Sequence, residues 1–380
     1  MFDISPVIAA YFSQPLWLAV LISVAFIPLL YRPAKNFGLV DTPKGRKKHK
    51  TLVPLVGGPA IFLSIAISFY VWGFPQEFIG VAISATALLI LGILDDIKDI
   101  SAKFRLLIQA SLVTFALAWD GIWISQIELT NSFTLQLGYL QYLITIIAVL
   151  GVMNAINMLD GLDGLSSGVV LIILGFIIAL SVSAGVESTS KVSICTFGAV
   201  FGFWVHNYRF KWREKAFVFL GDSGTTLIGF LLPIITIKLS LVAPLSVSKP
   251  VMLWLFAIPI WDICAVVLKR IRDKESPLQA RRDHIHHVLL NSGLSVRKAL
   301  HLIYFLTIAS ISFGMAIQYF ALTNLEAYVA FGVFLLAYLN RVGSLSQREN
   351  AEIYDFLIHE EQGQSDDTEN EIVVKLKKRL

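Results

Sequence analysis

Residues 139–165 read YLQYLITIIAVLGVMNAINMLDGLDGL. Positions 139–157 carry no charged side chain and match the roughly 20 apolar residues that cross a bilayer core. The run then breaks into Asn154, Asn157, Asp160 and Asp163, with Gly161 and Gly164 among them. A membrane helix that ends in a dense polar cluster sets the fold class and marks where chemistry belongs.

The rest of the chain repeats this pattern. Its 380 residues are 56% hydrophobic and 15% charged, with mean hydropathy +0.71. Soluble domains carry about 25% charged residues, so soluble multidomain, disordered and fibrous classes are excluded. The expectation is an all-α polytopic membrane protein of about eleven spans. They lie at 6–30, 52–73, 77–94, 104–123, 139–157, 164–184, 190–206, 216–240, 250–268, 300–320 and 323–340. The leader MFDIS lacks a basic n-region, so the first span is not expected to be a signal peptide. Cys195 and Cys264 lie inside apolar runs and offer neither a disulfide framework nor metal-ligand spacing. Pro259 in the ninth span is read first as a tolerated membrane proline; the alternative is a kink, where a bent helix could open a lipid groove.

Charge distribution orients the spans. Segments 31–50, 95–105, 207–216, 269–299 and 341–380 hold 28 of the 31 Lys and Arg residues. Positive charge collects on the cytoplasmic side, which predicts a periplasmic N-terminus and a cytoplasmic C-terminus. Residues 1–340 then form a membrane catalytic domain with its active site on the cytoplasmic face, and 341–380 a charged tail. An amphipathic helix is expected near 347–361, followed by a disordered stretch.

The polar clusters all fall at the predicted cytoplasmic ends: DTPKGRKKHKTLVPLVGG at 41–58, LDDIKDISAKFR at 94–105, NAINMLDGLDGL at 154–165, FLGDSGTTLIGF at 219–230 and RRDHIHH at 281–287. Asp95 and Asp96 close a helix, where the macrodipole disfavours anions, so the pair calls for a cation. Asp160, Asp163 and Asp222 precede helices, where Asp is a favoured cap. The interleaved glycines let backbone approach a ligand, and helix N-termini suit phosphate. Carboxylates, free N–H groups and basic residues together suggest a metal-bound diphosphate, with Mg²⁺ held by a few carboxylates and phosphate oxygens. His284, His286 and His287 have no accompanying cysteine or helical pairing, which favours phosphate or nucleotide contact over zinc. The basic run 44–50 serves orientation, substrate contact or both.

These segments resemble the polyprenyl-phosphate N-acetylhexosamine-1-phosphate transferase family. The matching residues are Asp41-Thr-Pro with Arg46, Lys47 and His49, then Pro54 and Gly57-Gly58. Next come Asp95-Asp96 with Arg105, where the family often has Lys. The remaining matches are Asn154, Asn157, Asp160, Gly161, Asp163, Gly164 and Leu165, Gly221 to Gly224, and Asp283 to His287. The likeness covers about residues 35–340. The His-Ile-His-His form and the span count resemble the branch that moves GlcNAc-1-phosphate from UDP-GlcNAc to undecaprenyl phosphate, rather than the peptidoglycan branch.

The resemblance implies phosphoryl transfer dominated by positioning and charge neutralisation. It makes Asp222 the leading Mg²⁺ (or Mn²⁺) ligand, with Asn157 near the metal or diphosphate. Asp95 and Asp96 would position or activate the lipid phosphate, and Asp160 and Asp163 would shape the nucleotide and metal surroundings. Arg105, Arg282, His284, His286, His287, Asp41, Arg46 and Lys47 would contact substrate. A phosphate monoester is mostly dianionic at pH 7, which favours direct attack over a phospho-aspartate route. The expected setting is the bacterial inner membrane, with UDP-GlcNAc, undecaprenyl phosphate and membrane lipid as partners, no nucleic acid, and a possible homodimer. The product would feed O-antigen, enterobacterial common antigen or another surface polymer. Alternatives are another UDP-N-acetylhexosamine or, in a different class, a secondary transporter, although no internal repeat is visible.

Overall fold

Apolar runs of this length find no water for their backbone inside a bilayer, so they fold as helices that satisfy their own N–H and C=O groups. The computed structural model describes residues 15–41, 52–98, 100–130, 132–213, 215–243, 248–274, 276, 283–320 and 323–361, with 343–361 as backbone alone. The helices are α1 (Pro15–Asn36), α2 (Gly57–Trp72), α3 (Ile79–Lys98), α4 (Ala102–Trp119), α5 (Leu140–Leu159), α6 (Leu165–Ser183), α7 (Glu187–Asn207), α8 (Gly221–Val242), α9 (Lys249–Leu255), α10 (Ala257–Arg272), α11 (Ile285–Asn291), α12 (Val296–Tyr319) and α13 (Asn324–Glu361).

Eight of the described helices are long and apolar enough to cross a membrane, and a ninth counts if α9 and α10 are one span. The chain is an all-α polytopic membrane protein. Two predicted spans are helices that miss those criteria. Helix α2 has only 16 residues. Helix α7 has 21, but Ser188, Thr189, Ser190, Lys191 and Ser193 fill its first two turns. It packs among α1, α2 and α6, so neighbouring helices rather than lipid cover much of its polar surface.

Helix α8 is the central element. Of its most apolar window 83% is buried, as expected of a helix that is hydrophobic all round. Helices α2, α3 and α5 pack directly on it. Pro259 is not merely tolerated, as the preferred sequence reading has it: α9 and α10 meet at 70°. Pro259 has no N–H to donate to the Leu255 carbonyl four residues earlier, and the helix breaks there, at Phe256. Helix α1 runs to Asn36, beyond the expected end at 30, and its last turn carries Lys35, favourable at the negative helix end. Helix α13 continues without a break to Glu361, so the segment expected as a separate helix near 347–361 extends the final span. The rest of the predicted tail, 362–380, lies outside the described residues, as do residues 1–14, which include 6–14 of the first predicted span.

Two short hairpins mark opposite ends of the bundle. In the first, β1 (Val40–Asp41) pairs antiparallel with β2 (Val53–Pro54), Asp41 opposite Val53. In the second, β3 (Gln126–Glu128) pairs with β4 (Thr134–Gln136). Lys249 of α9 pins this second hairpin through a 2.7 Å ion pair with Glu128.

Candidate active site

The first hairpin, the last turns of α3 and α5, the loop after α5 and the first turn of α8 meet at one end of the bundle. Backbone bonds fix this junction. Phe219 N–H donates to Pro54 O at 3.0 Å, Gly57 N–H to Phe219 O at 3.1 Å, and Gly58 N–H to Leu220 O at 3.2 Å. The chain then turns at Gly221, whose φ of +73° disfavours any other residue. A Cβ there would stand 2.7 Å from Asp96 Oδ2. Glycine therefore allows Asp96 to sit on the start of α8.

Asp96 accepts the backbone N–H groups of Asp222 at 2.7 Å and Ser223 at 3.2 Å. Asp95 is buried and accepts Ile100 N–H at 2.8 Å and the guanidinium of Arg105. The expected cation for the aspartate pair thus arrives in two forms. One carboxylate takes Arg105, and the other takes the positive end of α8.

Asp222 is the centre of the arrangement. Its Oδ1 accepts Asn157 Nδ2 at 2.7 Å and lies 3.6 Å from Arg105 Nη1. Asn157 also donates to Thr225 Oγ1 at 2.7 Å, one turn along α8. The Asp222 side chain is 36% exposed, against 2% for Asp95. It is the open carboxylate of the junction.

The loop between α5 and α6 brings the other two acids. Asp160 accepts the Ser166 hydroxyl. Burial, with Asp163 and Asp222 as nearby negative charges, pushes its carboxyl up to about 6. Asp163 faces the loop after α7, where its Oδ2 accepts Arg209 Nε at 2.6 Å and Ala216 N–H at 3.0 Å. Asn207 ties the same loops, accepting Gly164 N–H at 2.6 Å and donating to Val218 O at 2.8 Å.

The histidines dock on this loop. A Cβ at Gly161 would lie 2.0 Å from His286 Nε2, so the imidazole lies directly against that glycine. His286 is 1% exposed, and its Nδ1 has no hydrogen-bond partner among the described residues. Burial and the adjacent His287 and His284 hold its ring well below the ordinary imidazole value. His287 lies 4.2 Å from it, centroid to centroid, and His284 is parallel to it at 5.9 Å. His284 Nδ1 is bonded to Asp262 Oδ2 at 2.8 Å.

The structure therefore gathers Asp95, Asp96, Arg105, Asn157, Asp160, Asp163, Asp222, His284, His286 and His287. Asp41 lies on the first hairpin, paired opposite Val53. Arg46, Lys47 and Arg282 lie outside the described residues. Sequence reasoning overlooked Ser166, Asn207, Arg209 and Thr225. Arg209 counted only toward orientation, and short hydroxyl and amide side chains carry no spacing signal of their own.

Among the described residues no group of three or more His, Cys, Asp and Glu could hold a metal ion. Mg²⁺ commonly takes one or two carboxylates and completes its shell with water and phosphate oxygens. The exposed Asp222 beside the Asn157 amide fits that donor set.

Comparison with known sequences agrees with this architecture. A family model described as glycosyl transferase family 4 matches residues 78–240. Undecaprenyl-phosphate alpha-N-acetylglucosaminyl 1-phosphate transferase of Escherichia coli O157:H7 is 31% identical over 322 residues, 84% of this chain and 87% of the relative. The proteins of that name from Haemophilus influenzae and Pasteurella multocida are 33% and 34% identical, over 83% of this chain and 90% and 89% of theirs. The chain belongs to glycosyl transferase family 4, the polyprenyl-phosphate N-acetylhexosamine-1-phosphate transferases, and is a membrane phosphoglycosyl transferase.

Proposed function

We propose that the protein transfers GlcNAc-1-phosphate from UDP-GlcNAc to undecaprenyl phosphate, giving GlcNAc-diphosphate-undecaprenol and UMP. An oxygen of the lipid phosphate attacks the sugar-side phosphorus of the donor. The new P–O bond forms there as the bond to the UMP oxygen breaks, and UMP leaves with that electron pair. The observation that carries this reading is Asp222. An open carboxylate stands on a helix N-terminus, held by Asn157 and flanked by the Arg105 guanidinium. That grouping suits a diphosphate with its cation.

Asp222, with Asn157 beside it, would hold Mg²⁺ or Mn²⁺, and the ion would supply charge neutralisation for the phosphates. Asp96 fixes Asp222 through the α8 backbone. Asp95 fixes Arg105, whose guanidinium faces the incoming phosphates. Asp160 and Asp163 shape the nucleotide side, and the histidines close it over Gly161. Positioning of this kind is the main lever in phosphoryl transfer.

In the membrane we place the N-terminus in the periplasm and the C-terminus in the cytoplasm, with α2 and α7 as further spans and the site at the cytoplasmic face of the bacterial inner membrane. The distribution of Lys and Arg supports this orientation. The product is the first lipid-linked intermediate of a surface glycan such as O-antigen or enterobacterial common antigen.

Mass spectrometry of the lipid product tests the reading. Purified protein, undecaprenyl phosphate, Mg²⁺ and UDP-GlcNAc should yield a diphosphate-linked N-acetylhexosamine lipid, and other UDP-sugars should not. A product formed only from another UDP-N-acetylhexosamine would overturn the sugar. No product from any donor would overturn the transfer itself.

A further inference from the structure

A carboxylate within an apolar membrane helix is costly and must be paired. Asp262 is such a group. It lies on α10 beyond the 70° bend, is 3% exposed, and has no part in the roles proposed above. Among the described residues it has three hydrogen-bond partners, and an ionised carboxylate can only accept from each of them. Oδ1 accepts Ile285 N–H at 2.8 Å and the Tyr338 hydroxyl of α13 at 3.0 Å. Oδ2 takes His284 Nδ1 at 2.8 Å.

We infer that Asp262 is the positioning residue of the histidine motif, its buried carboxylate fixing the His284 ring and the first turn of α11 in one orientation. The inference rests on the phosphoglycosyl transfer proposed above. A carboxylate on Nδ1 sets which imidazole nitrogen carries the proton, as carboxylates behind functional histidines do elsewhere. Nδ1–H points at Asp262, and Nε2 of the neutral ring is left as an acceptor for a donor group of the substrate. The orientation is passed on. The His284 ring is parallel to His286 within 3°, and His286 rests on Gly161 in the loop that carries Asp160. Helix α10 grips the motif a second time, two turns along, where Lys269 Nζ meets Asp283 Oδ1 at 3.2 Å. The arm beyond the helix break thus holds the motif by its first three residues.

Asp262→Asn tests this. The amide oxygen can still accept from Ile285 and Tyr338, but its NH₂ faces His284 and forces the proton to Nε2. The kcat/KM for UDP-GlcNAc, read as UMP release, should fall about 10- to 100-fold, the usual effect of losing an outer partner of a functional histidine. In a His284→Gln background the same change should cost less than about 3-fold, because the residues act as a unit. ¹⁵N-histidine spectra should show His284 carrying a proton on Nδ1 in the wild type and on Nε2 alone in D262N. Asp262→Glu, which keeps the carboxylate, should recover part of the loss. Wild-type kcat/KM in D262N, or an equal loss in both backgrounds, would overturn the inference. A wild-type His284 protonated only on Nε2 would overturn it without any variant having to fold. Absence of UMP release by the wild type with every UDP-sugar would instead strike the transfer reading, and the spectra would still decide what Asp262 does.

Discussion

Asp96→Asn separates two jobs for this carboxylate, acting on the reacting phosphate or holding Asp222 in place. In the structure both its oxygens are taken by backbone N–H groups, those of Asp222 at 2.7 Å and Ser223 at 3.2 Å. Asparagine keeps one acceptor and turns an NH₂ toward the other N–H, donor against donor. The loss is one hydrogen bond to a charged group, about 1.5–3 kcal/mol. The negative charge on the α8 N-terminus goes as well, about 0.3–1 kcal/mol. At 1.4 kcal/mol per decade, the hydrogen bond alone amounts to about 10- to 150-fold in any property that depends on the placement of Asp222. The assay is UMP release titrated with Mg²⁺. The Mg²⁺ concentration for half-maximal rate should rise by roughly that factor, and kcat should fall with it. A D96N enzyme with wild-type Mg²⁺ dependence and only kcat reduced would refute the positioning argument and return Asp96 to the reacting phosphate.

Three further outcomes follow from the geometry. Gly161→Ala places a methyl group 2.0 Å from His286 Nε2. It should destabilise the protein by about 1–3 kcal/mol and cut UMP release at least tenfold, since the ring cannot stay where it is; retention of both wild-type stability and rate would contradict the docking of the histidines. The Asp160 carboxyl is raised from 3.8 to about 6. Relative to the unfolded chain it therefore contributes stability that is full below about pH 3.8 and lost as pH rises through about 6. In Mg²⁺-free detergent, Asp160→Asn should become progressively more stable than wild type as pH rises through that window, and a pH-independent gap in thermal midpoint would count against it. Arg209→Ala removes a part-exposed ion pair, worth up to about 1 kcal/mol. Asp163→Ala should cost more in the same melting assay, because it also strands the Ala216 N–H that bonds to Asp163 at 3.0 Å. Equal effects would show that this backbone contact carries no weight.

The helices were legible because a bilayer demands long uninterrupted apolar runs, and residues 139–157 and 164–184 announce themselves on that ground. Helix α7 was legible as a helix, but its serines and threonines keep it short of the apolarity of a span, a difference that arises from burial among other helices. The bend at Phe256 was foreshadowed by Pro259, yet its 70° magnitude was not. The convergence of the polar clusters followed from charge asymmetry along the chain, and the structure joins them through bonds such as Asn157 to Asp222. What stayed hidden was how each acid is occupied. Asp96 finds its partners 126 and 127 residues away in backbone N–H groups, which have no side-chain signature. Asp262 was visible only as an acid in a span, because its partners His284 and Tyr338 are placed by helix packing.

The nucleotide released is the most direct test of phosphoglycosyl transfer. Wild-type protein given UDP-GlcNAc, undecaprenyl phosphate and Mg²⁺ should release UMP in one-to-one ratio with the lipid product, and Asp222→Asn should release none above background while remaining folded. Release of UDP instead, or full UMP release by D222N, would contradict the account.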